Sequence, residues 1–214
     1  SNNFNNIHVK FPSMISNLCQ KHRISKFIHL SALGIENAKD SRYATSKIRG
    51  EIEVRKNFKN VIILKPSIIY SVDDNFTTML MSLLNLSPIF PLYYGGKTKF
   101  MPLHCSDICN LIFELIENDI EEKTIECIGP EVFTFKEMIE KLLKLIEKKR
   151  IFVPLPLIVA NIMAFFFQLL PKPLITKDQI KLLFYDNVPS GRYKTNFDIG
   201  KKFELSFEKE VEKY

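Results

Sequence analysis

Tyr43 and Lys47 stand four residues apart in a stretch without proline, and Ser31 lies shortly ahead of them at the end of an apolar segment. On a helix, positions four apart share a face, so the Lys47 ammonium can lie near the Tyr43 phenol and lower its pKa. A phenol tuned toward neutrality beside a serine hydroxyl can pass a proton to or from a substrate carbonyl or hydroxyl, which hydride transfer requires. The spacing by itself is weak, because seven tyrosines give about one chance match to it. Tyr93 and Lys97 repeat it across Gly95-Gly96, where a helix is disfavoured. The plainer reading of Tyr43 and Lys47 is an exposed helix pair.

Other chemistry-bearing residues are sparser. Neither Gly-x-Gly-x-x-Gly nor Gly-x-x-Gly-x-x-Gly occurs, so the loop that would cradle a pyrophosphate is absent from these 214 residues. His104, Cys105 and Cys109 could form part of a metal site, but no second cluster is spaced to complete four ligands, and core packing is favoured for the cysteines. His29, within an apolar strand, reads as a satisfied core histidine more than as a base. Phe165-Phe166-Phe167 reads as packing or an interfacial anchor.

The elements that must position these groups follow from pattern. Residues 12 to 25 read as a helix with Met14, Ile15 and Leu18 on one side, leading into a buried strand over 26–32 that Gly34 follows. Asp40-Ser41 offers caps for a helix from Arg42 to Arg55, and 61–65 is the next strand, marked at its end by Pro66. Strand, helix and strand in so few residues predict a βαβ unit with parallel strands. Residues 71–100 are an excursion, with a helical stretch from Phe76 to Leu86 and breaks at Pro88, Pro91 and Gly95-Gly96. An extended piece over 100–104 precedes a helix starting at Asp107, with Ile108, Leu111, Ile112 and Leu115 on its apolar side. Thr124 to Ile128 is a strand, Gly129-Pro130 a turn, and Thr134 with Glu137 has the capping-box spacing for a helix ending in Lys148-Lys149-Arg150. From Ile151 to Leu170 only Asn161 and Gln168 are polar; Pro154 and Pro156 leave too short a run for a membrane span, which favours a buried or interfacial helix.

Composition sets the class. With 46% hydrophobic and 25% charged residues the chain is an ordinary globular one, neither disordered nor collagen-like. Its net charge of +6 is uneven, since residues 1–70 hold twelve basic and four acidic groups, which suits an anionic ligand such as a nucleotide phosphate, an anionic membrane surface, or no more than a solvated face. Four cysteines without a Cys-x-x-Cys pair, and no secretory signal, point to a reducing compartment. The chain opens on Ser1 and has only 7 glycines, so we expect an N-terminal part to be missing, and a sheet edge to be exposed where its strands belong.

With these residues in place, the sequence resembles the second half of an atypical or extended short-chain dehydrogenase/reductase of the NAD-dependent epimerase/dehydratase type. The matching pieces are Phe27 to Gly34, Arg42-Tyr43-Ala44-Thr45-Ser46-Lys47 with Gly50-Glu51, Leu64 to Tyr70, and Met101 to Ile108. Within that group it is most similar to bacterial relatives of the nucleotide-binding accessory subunit of respiratory complex I, through Pro88 to Leu92 with Gly95-Gly96, Gly129 to Phe135, Val153 to Pro156, and Ile175 to Gln179 leading to Asp186-Asn187.

The resemblance implies an α/β fold, the C-terminal part of a Rossmann-type parallel sheet with a smaller, mostly helical C-terminal domain. Residues 1–70 and 101–128 would form the partial NAD(P)-binding domain, and 71–100 with 129–214 the part facing substrate or partner. It implies Ser31, Tyr43 and Lys47 as the active-site trio, with Ser31, Ala32, Tyr43, Lys47, Pro66, Ser67, Ile68 and Ile69 along the nicotinamide end of NAD or NADP, NADPH being favoured. Lys65 departs from the arginine that relatives commonly carry before the proline, exchanging a hydrogen-bonding fork for a point charge. Two functions stay open: an accessory or assembly role with dinucleotide bound, or an active reductase, dehydrogenase or sugar-nucleotide epimerase. Implied partners are the dinucleotide and respiratory complex I or a membrane surface, not nucleic acid. The implied location is cytoplasmic and peripheral on the inner membrane, or the mitochondrial matrix in a eukaryote.

Overall fold

The structure is a computed structural model and describes residues 2–72, 74–155 and 176–213. The chain begins with helical turns that start earlier than the apolar pattern predicted. A short helix α1 (Asn2–Asn5) runs through a π-helical turn at Asn6–Lys10 into α2 (Phe11–Lys21). The widened turn has a covalent cause: Pro12 has no N–H to give the His8 carbonyl, and the Phe11 N–H reaches back to the Asn6 oxygen instead. The freed His8 carbonyl lies against Gly50, where any added Cβ would sit 2.0 Å from its oxygen.

Strand β1 (Phe27–Leu30), helix α3 (Arg42–Asn57) and strand β2 (Val61–Pro66) form the expected βαβ unit, with Ile28 beside Ile62 in a parallel pair. Ser41 is the cap that the sequence indicated, its hydroxyl accepting from the Ala44 N–H. On the other side β2 pairs in parallel with β7 (Thr124–Cys127), Leu64 beside Ile125. All six β2 residues are buried, as the central strand of a parallel sheet requires. Alternation along it feeds two cores. Ile62 and Leu64 pack with Ile108, Leu111 and Leu115 of α5 (Cys105–Glu117), while Val61 and Ile63 pack with Val54 and Phe58 from α3 and its end. Each fully buried aliphatic side chain contributes about 1.5–3 kcal/mol. The sheet order is β1-β2-β7-β10, and β10 (Lys194–Thr195) comes from the stretch that sequence assigned to the smaller domain.

A third core lies beside this sheet. Here β3 (Ile69–Tyr70) pairs with β6 (Leu103–His104), and α4 (Thr77–Leu86) packs with α6 (Phe135–Leu145) through Leu80, Leu84, Met138 and Leu142. The Asp74 carboxylate caps α4, accepting from the N–H groups of Phe76 and Thr77 at 2.6 and 2.5 Å. The antiparallel pair β5 (Lys99–Phe100) and β8 (Phe133–Thr134) leads into α6, whose Thr134–Glu137 capping box forms as predicted. A helix of five residues, Phe207–Val211, closes this core.

Three boundaries differ from the sequence expectation. Helix α5 starts two residues before Asp107, because the His104 ring accepts from the Ser106 N–H and caps it. Helix α6 stops at Leu145 rather than at Lys148-Lys149-Arg150, since Glu147 adopts φ +51° and the Lys148 N–H turns back to the Leu143 oxygen. Residues Ile151–Leu155, ahead of the run expected to be helical, form a strand, β9, pairing with β4 (Ile89–Tyr93) so that Pro91 lies in a strand rather than at a break. Pro91 and Pro154 fit because, among the described residues, the two strands pair only with each other and each keeps an unpaired side. The rest of the apolar run, with Phe165-Phe166-Phe167, lies outside the described residues. Among the described residues no helix is long and apolar enough to cross a membrane.

His29 on β1 departs from the expectation of a satisfied core residue, since its Nε2 is buried without a partner among the described residues. Burial, reinforced by Lys47, Arg55, His8 and Lys65, pulls its pKa down to about 4. A base whose folded pKa lies below its unfolded value of 6.5 costs stability as pH falls through that interval, because the unfolded chain takes the proton first. We therefore expect unfolding free energy to drop by up to about 3 kcal/mol more between pH 6.5 and 4 in the native protein than in His29→Leu, as read from urea titrations at each pH.

Candidate functional site

A cavity of about 950 Å³ opens where β1 and β2 end. Ser31 follows β1, and Pro66, Ser67, Ile68 and Ile69 end or follow β2, so these residues stand at the carboxyl ends of parallel strands, where ligands of open α/β sheets bind. The two loops are stitched together by backbone, the Ser31 N–H donating to the Leu64 oxygen at 2.7 Å and the Leu33 N–H to the Pro66 oxygen at 2.9 Å. Ala32 and Tyr43 join the same wall, so seven of the eight residues expected to lie along a nicotinamide line one cavity.

Lys47 is the eighth, and it is not on that wall. Its ammonium donates to the Leu30 carbonyl at 3.2 Å and lies 5.9 Å from the centre of the Tyr43 ring. Burial draws its pKa down, with Glu51 opposing. The helix therefore brings Tyr43 and Lys47 together as the four-residue spacing required, but the expected lowering of the phenol does not occur. Burial raises the Tyr43 pKa instead, since the ammonium sits over the ring and against a carbonyl. The Tyr43 ring is held edge-on to His8 at 5.3 Å and to Phe4 at 6.1 Å. Its phenol has no hydrogen-bond partner among the described residues.

Ser31 does not hydrogen-bond to Tyr43. Its hydroxyl donates to Glu51 Oε1, which also accepts from the Lys65 ammonium at 2.7 Å, and Lys65 donates to Glu36 at 2.5 Å. Lys65 is fully buried, 5.5 Å from the centre of the Tyr193 ring. Burial alone would lower its pKa, but the bonds to Glu36 and Glu51 outweigh that and hold it above the usual lysine value. A lysine in place of arginine at this position is thus matched by two carboxylates that a point charge can reach. The sequence carried a hint of this, Glu51 beside Gly50, but nothing local showed that it would face Lys65.

Other contacts fix the helix that carries Tyr43. Asp178, on α7 (Lys177–Leu182), accepts from the Ser41 hydroxyl and from the Arg42 and Tyr43 N–H groups at 2.9, 2.8 and 2.9 Å, an anion at a helix N-terminus. Tyr185 donates to Asp40 at 2.9 Å, and Asn187 accepts from Ser67 at 2.5 Å while donating to the Leu33 carbonyl at 2.8 Å. Asp178 and Asn187 were visible only within a longer motif.

Elsewhere, Cys109 is exposed rather than packed in a core, and burial followed by the neighbouring Cys109 raises the Cys105 thiol. His104 stacks edge-on to Tyr70 at 5.2 Å. Tyr93 and Lys97 flank a 3-10 turn at Tyr94–Gly96.

No family model matches the sequence. Known relatives do. The chain is 26% identical over 199 residues to the mitochondrial NADH-ubiquinone oxidoreductase 40 kDa subunit of Neurospora crassa, covering 92% of this chain and 52% of that protein. It is 30% identical over 138 residues to the NADH dehydrogenase [ubiquinone] 1 alpha subcomplex subunit 9 of Dictyostelium discoideum, covering 64% of this chain and 38% of that one. The chain thus spans about half the length, or less, of these curated relatives. Among solved structures, UDP-glucuronic acid 4-epimerase from Bacillus cereus, determined with UDP-glucuronic acid and NAD, superposes with a TM-score of 0.64 at 16% identity, covering 96% of this chain and 65% of that one.

Because Lys65 is wholly enclosed between two carboxylates, Lys65→Met should cost about 3–5 kcal/mol in equilibrium unfolding by leaving Glu36 and Glu51 uncompensated. By sequence the chain is similar to the 40 kDa and alpha-9 subunits of mitochondrial NADH dehydrogenase, and by fold to the NAD-bound UDP-glucuronic acid 4-epimerase.

Proposed function

We propose that the full-length protein binds an NAD(P)(H) dinucleotide with its nicotinamide end in this cavity and serves as an accessory or assembly component beside a respiratory NADH dehydrogenase. The observation that carries this reading is the cavity itself, placed at the carboxyl ends of β1 and β2 with an unpartnered Tyr43 phenol in its wall. Tyr43 and Lys47 are assigned to the nicotinamide ribose, and Ser31, Ala32 and Pro66 to Ile69 to the ring. The relatives support the partner, and the NAD in the epimerase structure supports the ligand. NADPH rather than NADH is our expectation from the family resemblance. The residues present fit the nicotinamide half only. No glycine-rich loop occurs in these 214 residues, so the pyrophosphate end depends on other parts of the full-length protein.

We propose a dinucleotide part built on 1–70 with 101–128, to whose sheet β10 adds a strand, and a part facing substrate or partner built on 71–100 with the rest of 129–214. The location that goes with this reading is peripheral, on the matrix or cytoplasmic side of the respiratory membrane.

The second reading, an active reductase, dehydrogenase or epimerase, is favoured by the Tyr43 phenol. A bound dinucleotide would supply or take a hydride, and Tyr43 would give or take the proton at its phenol oxygen. Two features count for the accessory role: burial keeps that phenol protonated, and the Ser31 hydroxyl is committed to Glu51.

Replacing Tyr43 with Phe and Lys47 with Ala in the full-length protein should weaken NADPH binding by about 10- to 100-fold each, the worth of a hydrogen bond to a charged or polar partner. Titration of NADPH fluorescence reads this. Unchanged affinity in both variants would sink the assignment of the ribose to them, and turnover of a carbonyl panel would return the enzyme reading.

A further inference from the structure

We propose that the cavity beyond Tyr43 takes an uncharged hydrocarbon chain with a carbonyl or hydroxyl at its Tyr43 end, and not a sugar nucleotide. The inference rests on the dinucleotide reading for the end of the cavity beside Ser31 and Tyr43, and it concerns what occupies the rest.

The far wall is built from Met79, Leu80 and Leu83 of α4, Phe90 of β4, and Val153 and Leu155 of β9. Among the described lining residues there is no lysine, arginine or histidine. A nucleoside diphosphate carries charge that proteins meet with cationic forks or helix N-termini; this wall offers no fork, and the helix N-terminal N–H groups of Tyr43, Phe76 and Phe135 that reach it are already bonded to Asp178, Asp74 and the Thr98 carbonyl. Asp186 is the one formally charged lining residue, and its carboxylate accepts from the Lys99 N–H.

The polar side chains of the wall are also largely spent. Ser31 donates to Glu51, Ser67 to Asn187, Tyr185 to Asp40, and Ser87 to the Ile89 carbonyl. Gln179 accepts from the Thr176 N–H, and Asn187 donates to Leu33. A sugar ring entering here would give up its hydration and find few open partners, a cost that an alkyl chain does not bear. Two phenols, Tyr43 and Tyr93, are left without hydrogen-bond partners among the described residues, enough for one oxygen on an otherwise apolar ligand. The volume of about 950 Å³ suits a sizeable ligand. At the rim Leu86 and Ile89 are 78% and 50% exposed, so the entrance is apolar as well.

The test uses the full-length protein and the straight-chain methyl ketones from hexan-2-one to dodecan-2-one. Equilibrium dialysis measures their affinities, with UDP-glucose as competitor and NADPH binding followed separately by its fluorescence. The expected result is a gain of about fourfold in affinity per added methylene, ending at a chain length where the cavity is full. Met79→Trp and Leu83→Trp, which fill the far end, should shorten that limit and leave NADPH binding unchanged.

If NADPH binds but the ketones show no gain with length, or UDP-glucose displaces them from a tighter site, the hydrocarbon inference is overturned and the dinucleotide reading stands. A length limit that neither tryptophan variant moves overturns it as well. If the ketones behave as expected and NADPH does not bind, the cavity's ligand class holds and the dinucleotide reading falls. Binding of neither removes both. Should the tryptophan variants fail to fold, the length series and the UDP-glucose competition on the native protein decide alone.

Discussion

The ammonium of Lys65 is the constraint on which the site depends. It sits fully buried in the central strand, and an unpaired charge there would cost several kcal/mol, so the protein must bring anions to it. Glu36 comes from the loop after β1 and Glu51 from α3, at 2.5 and 2.7 Å. The three groups therefore lock strand, loop and helix together at the point where the cavity begins. Ser31 is drawn into the same network through Glu51, which explains why its hydroxyl is bonded there and not to Tyr43.

A second set of contacts fixes the other end of α3. Asp178 satisfies two N–H groups of its first turn together with the Ser41 hydroxyl, and Tyr185 and Asn187 tie the same late segment to Asp40, Leu33 and Ser67. Residues near 180 thereby become part of the wall that Tyr43 belongs to, although they are remote in sequence. At the helix middle, Gly50 lets the His8 carbonyl approach, and this sets His8 and Phe4 against the Tyr43 ring. The tyrosine is therefore placed by three separate stretches of chain and desolvated by them, which is why its pKa rises although a lysine lies one turn away.

What the sequence made legible was local. The β1–α3–β2 unit, the Ser41 cap and the Thr134–Glu137 box follow from period, cap chemistry and spacing, all read within one window. The pairing of Glu51 with Lys65, the Asp178 cap and the pairing of β9 with β4 were not legible, because each joins distant segments and leaves no periodic signal. His29 shows the limit of the rule that polar core groups are satisfied: its apolar strand was read correctly, but its lack of a partner depends on neighbours that only the fold supplies. Seven of the eight residues that the resemblance assigned to the nicotinamide line one cavity and Lys47 does not, yet the resemblance carried no information about the apolar far end.

The central claim is that this wall holds the nicotinamide end of a dinucleotide. Native mass spectrometry of the full-length protein, isolated from its own cells without added nucleotide, tests it most directly. The expected species is heavier than the polypeptide by the mass of one NAD or NADP molecule, and is lost when Tyr43 and Lys47 are both replaced. A polypeptide that carries no such adduct, and takes none when NADPH is supplied, would contradict it.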